Sequence, residues 1–395
     1  MIVKRIFSRH IDREINHSNA KVVLLIGQRR VGKTVELKRL QANHENSRYI
    51  DFEDYATRQL FEPSLVVLER LIGSPTDKRL LLLDEIQYVP QIGAILKLIH
   101  DHFKSTRVVA SGSASFLMLR NIGDSLAGRS ITIDAHPLLP REMAGDADNA
   151  RFALGDYDGL LNRPFIEANM ESWFLHGSLP EIWFEPNIER KEILLKSYVN
   201  SLMFKDIFEI EGIRSPDAMQ KLVRLLALQI GSELNPNELA TTLNISRRTV
   251  VEYINVLEKF RLVRVLTAFS GNLRNEISRG FKVYFTDLGV RNALLGNFVP
   301  MSGRTDAGAM FENFVFNLIS NNIDAFQQPE SVFFWRSKQQ SEVDLVISDQ
   351  RTGKLTPIEI KLTQKAKIAR SFLDSYRDRI DKAFVVNRDN IWQFA

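Results

Sequence analysis

An α/β multidomain fold is predicted by three observations on the 395-residue sequence. From the start to about residue 140, short apolar runs alternate with stretches of helical periodicity, the pattern of a parallel sheet with helical crossovers. The alternation ends at Pro137-Leu138-Leu139-Pro140, and helical patterns follow. From about residue 303 a helix and strands, two of them acid-bearing, make a second α/β pattern. A chain of this length exceeds one ordinary core, and about two to four domains are expected.

Composition narrows the function classes. A hydrophobic fraction of 44% and a charged fraction of 25% are those of a globular protein. No apolar run approaches the roughly 18 residues that span a bilayer, so no membrane partner is expected. Met1-Ile2-Val3-Lys4-Arg5 begins basic but lacks the apolar stretch of a secretory signal. Cysteine is absent, which removes disulfide and thiolate chemistry and makes a cytoplasmic location the expectation. The formal charge of +4 is too small to argue for nucleic acid by itself.

Val22-Val23-Leu24-Leu25-Ile26 suits a buried parallel strand. It empties into Gly27-Gln28-Arg29-Arg30-Val31-Gly32-Lys33-Thr34, which fits G-x-x-x-x-G-K-[ST], a phosphate-binding loop. Gly27 and Gly32 permit tight turning and close approach to phosphate. Lys33 is placed for the β- and γ-phosphates and Thr34 for Mg²⁺, and the following helix presents its positive end. Arg79 to Leu83 is a second apolar strand, ending in Asp84-Glu85. Asp84 is expected to hold the metal shell of ATP and Glu85 to orient or deprotonate the attacking water.

Residues 5 to 20 read as a helix leading into this core. Tyr49 to Asp54 reads as a short strand ending in solvated acids. Arg107 to Ser115 reads as a further core strand with a polar tip, where Ser111 and Ser113 are candidates to sense the γ-phosphate or position water. Arg129 precedes another strand and is a candidate arginine finger, in cis or across a boundary to a second copy, because a guanidinium pairs with the charge of phosphoryl transfer.

Residues 160 to 212 read as helical, broken at Leu175-His176-Gly177-Ser178-Leu179-Pro180-Glu181. Residues 216 to 286 then give three short helical patterns and two strands, Leu262 to Leu266 and Phe281 to Phe285, around a polar loop. This reads as a winged helix-turn-helix. In such a fold the second helix enters the DNA major groove by its N-terminal residues, here Ser246, Arg247, Arg248 and Thr249. Tyr253 is expected on a face away from the core, and Arg274 and Arg279 on the wing. Docking to a protein is the alternative use of the module.

In the last region a helix carries Glu312, and two strands carry Asp344 and Glu359-Ile360-Lys361. Period-two alternation puts Glu359 and Lys361 on one face, the D-x(n)-E-x-K arrangement of metal-dependent nucleases. Asp344 and Glu359 are expected to lie unpaired near each other, sharing Mg²⁺, with Lys361 offsetting one charge.

With these motifs the chain resembles the bacterial and archaeal AAA-type ATPases that carry the C-terminal domain of unknown function 4143. The phosphate-binding loop, Leu83-Asp84-Glu85-Ile86-Gln87, Ser111-Gly112-Ser113, Ser125 to Arg129 and Leu175 to Glu181 carry the resemblance. So do Lys282 to Gly289, Phe311-Glu312-Asn313 and Glu342-Val343-Asp344. The resemblance implies a P-loop ATPase core with a parallel sheet over 1–145, a helical connector over 146–215, a winged helix over 216–295 and a restriction-endonuclease-like domain, similar to the PD-(D/E)XK nucleases, over 296–395. It also implies that Arg129 serves the nucleotide site. Val343 stands where the nuclease superfamily name expects proline.

Overall fold

The computed structural model describes residues 3–17, 22–113, 126–147, 154–155, 163–208, 213–270, 280–363 and 366–395. The chain divides into two compact units, Met1–His136 with Lys259–Arg261, and Pro137–Glu258 with Leu262–Ala395.

The first unit is built on five parallel strands, β1 (Val22–Gly27), β2 (Ser47–Asp51), β3 (Arg79–Asp84), β4 (Thr106–Gly112) and β5 (Ser130–Ala135), in the order β2-β3-β4-β1-β5. Every residue of β1 is buried, as expected for a strand whose two faces are both covered. Among the described residues of this unit, helices α1 (Ile6–Asn16), α2 (Lys33–Asn43), α3 (Tyr55–Leu60), α4 (Leu65–Ile72) and α5 (Ile92–His102) accompany the sheet. Leu68 and Ile72 of α4, and Ile95, Leu96 and Ile99 of α5, enter one core with Leu24, Leu81, Leu83 and Val108. From β1 the chain crosses to the far edge at β2 and returns through β3 and β4 before placing β5 on the other side of β1. This reversal opens a crevice at the carboxyl ends of the strands, where ligands of open parallel sheets bind.

The second unit begins with α6 (Pro140–Met143), α7 (Arg163–His176), α8 (Pro180–Phe184) and α9 (Ile188–Ser201). The Leu175–Glu181 motif is locked to the Thr286-Asp287-Leu288-Gly289 motif by close packing. Ser178 N–H donates to Asp287 Oδ2 at 2.7 Å, and a Cβ on Gly289 would overlap the His176 carbonyl. Burial raises the Asp287 carboxyl to about 6, against the backbone N–H groups of Ser178 and Val290 that favour its charge.

Next come α10 (Pro216–Leu228), β6 (Glu233–Leu234), α11 (Pro236–Leu243), α12 (Arg247–Lys259), β7 (Val263–Thr267) and β8 (Phe281–Phe285). Asn244, at φ 53°, ends α11 in the left-handed conformation and turns the chain into α12. Strands β7 and β8 pair antiparallel as expected, and β6, which the sequence pattern does not reveal, adds to β8. A strand of two residues carries too little periodicity to be seen.

The chain then runs α13 (Leu288–Leu295), α14 (Ala307–Ala325), β9 (Glu330–Arg336), β10 (Glu342–Asp349), β11 (Leu355–Ile360), α15 (Arg370–Ser375) and β12 (Phe384–Val386). The four strands form a mixed sheet in the order β12-β11-β10-β9, antiparallel except for β11 with β12. A register shift between Val343 and Val346 on β10 marks a bulge beside Asp344, a device that re-aims a side chain.

Candidate functional site

Strand β1 delivers Gly27 to the crevice, and only glycine fits there, because a Cβ would overlap the carbonyl oxygen of Ala135 on β5. Past Gln28 and Arg29, Arg30 at φ 64° and Gly32 at φ 100° turn the main chain, and buried Val31 anchors the loop between them. Lys33 opens α2. Its buried ammonium donates to the carbonyls of Gly27 at 2.9 Å and Gln28 at 2.8 Å, so the charge lies within the loop. Thr34 follows in the first turn of α2. Arg29 donates to the Tyr88 hydroxyl at 2.6 Å.

Two groups away from the motif hold this loop. The buried Arg5 guanidinium donates to Val31 O at 2.7 Å and to His136 O, tying the loop to the end of β5. Ser8 donates to Glu36 of α2 at 2.7 Å, and Arg39 pairs with both Glu36 and Asp12, fixing α1 against α2. Sequence reasoning assigned Arg5 no role, since a lone arginine ahead of a helix has no spacing to mark it.

Asp84 ends β3 and is 1% exposed. Ser111, next door on β4, donates its hydroxyl to Asp84 Oδ1, and Tyr49 of β2 donates to Oδ2 at 2.8 Å. Burial and this carboxylate together raise the Tyr49 phenol well above its ordinary value, so it stays a donor. Tyr49 too was missed, although it sits two residues before Asp51 on the same face of β2. Glu85 follows at φ 55°, a conformation uncommon for a residue with a side chain and found at functional turns. Gln87 Nε2 donates to Glu85 Oε2, and its Oε1 accepts from Ser113 N–H at 3.2 Å. Lys33, Asp84, Glu85, Ser111 and Ser113 thus all lie at the carboxyl edge of one sheet.

Arg129 does not. Its carbonyl accepts from Val22 N–H at 2.9 Å, and Ser130 is in register with Val22 while Ala135 is in register with Gly27. Five residues of strand, about 16 Å at about 3.3 Å each, separate it from the loop. Its guanidinium pairs with Asp101 at 3.0 Å. The expectation that Arg129 serves the nucleotide site of its own chain is therefore corrected: its position just before β5 puts it at the opposite edge of the sheet.

In the second unit Ser246, Arg247 and Arg248 are exposed and Thr249 is partly so, at the N-terminus of α12. Thr249 N–H donates to Ser246 Oγ at 3.0 Å, the bond of a helix cap, and Arg248 pairs with Glu252 one turn on. Tyr253 is corrected as a surface contact. It is 5% exposed, and its hydroxyl accepts from Ser215 N–H at 3.1 Å, so its ring fills the core behind the helix. Arg274 and Arg279 lie outside the described residues.

The C-terminal acids converge. Asp344 on β10 accepts from Ile360 N–H of β11 at 2.7 Å, and Lys361 lies 3.2 Å from Asp344 and 2.8 Å from Glu359. Burial alone would lower the Lys361 ammonium, but these two carboxylates hold it above its ordinary value. Glu312 of α14 accepts from Tyr284 Oη at 2.6 Å and pairs with Lys282 at 3.0 Å. Asp344 and Glu359 are not unpaired as expected, because one lysine lies against both, although its single charge still offsets only one of the two. Among the described residues, no group of three or more His, Asp or Glu side chains is arranged to hold a metal ion. Lys282, Tyr284 and Glu342 belong to motifs that carry the resemblance but were expected to take no part in the site. The available signal was a lysine and a tyrosine alternating with apolar residues along Phe281–Phe285.

A glycine loop between strand and helix, with an acid pair and a polar strand tip across the same sheet edge, defines an α/β domain of the P-loop type. Residues 19–144 match the AAA domain family, which implies nucleotide binding with a divalent metal. Residues 167–300 match the domain of unknown function DUF8612, and residues 307–391 match the domain of unknown function DUF4143. The chain is 26% identical over 363 residues to an uncharacterized protein of Mycobacterium tuberculosis, covering 91% of this chain and 74% of that one. It is 24% identical over 374 residues to an uncharacterized protein of Methanocaldococcus jannaschii, covering 93% and 81%. Among solved structures, a Walker-type ATPase of Pyrococcus abyssi aligns with a TM-score of 0.48 at 16% identity, over 74% of this chain and 96% of that one.

Proposed function

We propose that the protein is a Mg²⁺-dependent ATPase whose nucleotide cycle acts on a DNA-binding winged helix and a nuclease-like C-terminal domain. The observation that carries the ATPase reading is the pairing of Ser111 with Asp84 at the sheet edge where β1 opens into the Gly27–Thr34 loop. The donor set fits a hydrated Mg²⁺ on ATP: Thr34 offers a hydroxyl, and Asp84 offers a carboxylate oriented by two hydroxyl donors. The metal would neutralise charge on the β- and γ-phosphates. The chain's own residues do the rest. Backbone N–H groups of the loop and Lys33 bind the phosphates, Ser111 and Tyr49 fix Asp84, and Glu85, held by Gln87, orients or deprotonates water. Any part for Arg129 is across a boundary to a second copy in a homo-oligomer.

The order α10, β6, α11, α12, β7, β8, with α12 presenting Arg247 and Arg248, supports the winged-helix reading of DNA as the partner. The order α14, β9, β10, β11, α15, β12 with Asp344, Glu359 and Lys361 together supports the nuclease-like reading of the tail. A second reading of that tail has its own support, since Asp344 and Glu359 already meet Lys361 and Glu312 meets Lys282: there the fold is retained as a scaffold or protein-docking module, without cleavage.

Steady-state ATPase assays test the first claim. Lys33→Ala is expected to weaken nucleotide binding, whereas Glu85→Gln keeps binding and slows hydrolysis by about 10²-fold or more. Wild-type turnover in Glu85→Gln removes the role given to Glu85. Plasmid incubated with Mg²⁺ or Mn²⁺, with and without ATP, separates a cutting tail from a silent one.

A further inference from the structure

Strand β8 belongs to the sheet of the helix-turn-helix module, yet its Lys282 and Tyr284 serve the acidic centre of the next one. Lys282 is 3% exposed. Its ammonium lies 3.0 Å from Glu312 Oε1 and 2.6 Å from Glu342 Oε1, above the ring of Phe334 at 5.5 Å. Tyr284, stacked on Phe316, donates to the same Glu312 oxygen. Arg336 reaches Glu342 at 3.5 Å and Glu233 of β6 at 2.7 Å. Lys361 covers Asp344 and Glu359.

A lysine buried this deeply is costly unless carboxylates surround it, and carboxylates gathered this closely repel unless a cation stands among them. A divalent ion would need about six oxygen donors. Here Oε1 of Glu312 accepts from both an ammonium and a phenol, and Oε1 of Glu342 lies against the same ammonium. The Lys282 ammonium, between Glu312 Oε1 and Glu342 Oε1, occupies the place a divalent ion would take between these two carboxylates.

We propose that Lys282 is the resident cation of this acidic centre, replacing a divalent metal and joining the β6-β8-β7 sheet electrostatically to the β12-β11-β10-β9 domain. The proposal rests on the metal-free, scaffold reading of the tail and is independent of the ATPase reading. Two consequences follow. Divalent ions do not stabilise the centre, and the two modules unfold together.

The test is thermal unfolding of the full chain without nucleotide, in EDTA and in millimolar Mn²⁺. An Asp84→Asn background removes the metal ligand of the nucleotide site. The parent is expected to melt at the same temperature in both buffers. Adding Lys282→Met should lower Tm in EDTA by about 5 °C or more, and Mn²⁺ should now restore part of the loss. Adding Glu312→Gln to that protein should recover Tm in EDTA and abolish the Mn²⁺ response. Should Lys282→Met fail to fold, the combination Lys282→Met, Glu312→Gln and Glu342→Gln, which removes the lysine with both its carboxylates, is expected to fold. A parent that gains Tm in Mn²⁺, with Asp344→Asn abolishing the gain, overturns the metal-free reading. An unchanged Tm for Lys282→Met, or failure of the triple combination to fold, overturns the role of Lys282 alone.

Discussion

Ser111 donates its hydroxyl to Asp84 from the adjacent strand, and with Tyr49 on the other oxygen it fixes the carboxylate plane at the sheet edge. Glu85 N–H also reaches Ser111 Oγ at 3.3 Å, so one serine touches both members of the acid pair. Ser111→Ala should therefore lower kcat for ATP by about tenfold, the size expected when one buried hydrogen bond of roughly 1.5 kcal/mol is removed from the oriented state. Steady-state kinetics should show little change in KM. A change confined to KM would mean that the serine acts only in binding.

Packing at Gly27 predicts a stability defect distinct from any phosphate effect. Gly27→Ala forces a Cβ into the Ala135 carbonyl on β5, and both are main-chain positions in a paired parallel register. Neither can move without breaking the β1-β5 pairing, so the variant should be destabilised by about 1–3 kcal/mol, as overpacked interiors are. Urea unfolding followed by circular dichroism measures it. A variant with wild-type stability and impaired nucleotide binding would instead assign Gly27 to phosphate binding alone.

If the winged-helix proposal holds and DNA is the partner, exposed Arg247 and Arg248 at the start of α12 set the salt dependence of its binding. Changing both to Ala should weaken binding and reduce the slope of log K against log salt by about 1 for each phosphate that an arginine neutralises. ATP hydrolysis without DNA should be unaffected. Fluorescence anisotropy across a salt series makes the measurement, and an unaltered slope would point to a protein partner for this module.

His176 sets an acid dependence. Burial, then the nearby charge of Lys191, lowers its imidazole to about 4, and its ring stacks on Phe298. A lowered folded-state value means that the unfolded chain binds the proton more readily, so stability is present above about pH 6.5 and falls as pH drops toward 4. His176→Gln should flatten the dependence of Tm on pH in that window. If wild type and variant lose Tm in parallel, another group governs the acid limb.

The sequence by itself determined the elements that chemistry marks with fixed spacing. The Gly27–Thr34 loop, the Asp84-Glu85 strand end and the Ser111 strand tip were legible because a phosphate cradle needs particular residue types at particular intervals on contiguous strands and turns. The Asp344, Glu359 and Lys361 arrangement was legible for the same reason: alternation along a strand fixes which side chains share a face. Only the tertiary structure decided which charges meet. It set Arg129 at the amino edge of β5, where five residues of strand hold it from the loop. It turned Tyr253 into the core, because the packing of α12 against its neighbours selects the buried stripe. It brought Arg5 to the loop across 26 residues and Lys282 to Glu312 across 30. Such pairings obey no local period. They follow from strand order and helix docking, which are fixed by burying the whole apolar surface at once and therefore leave no trace in any single stretch of sequence.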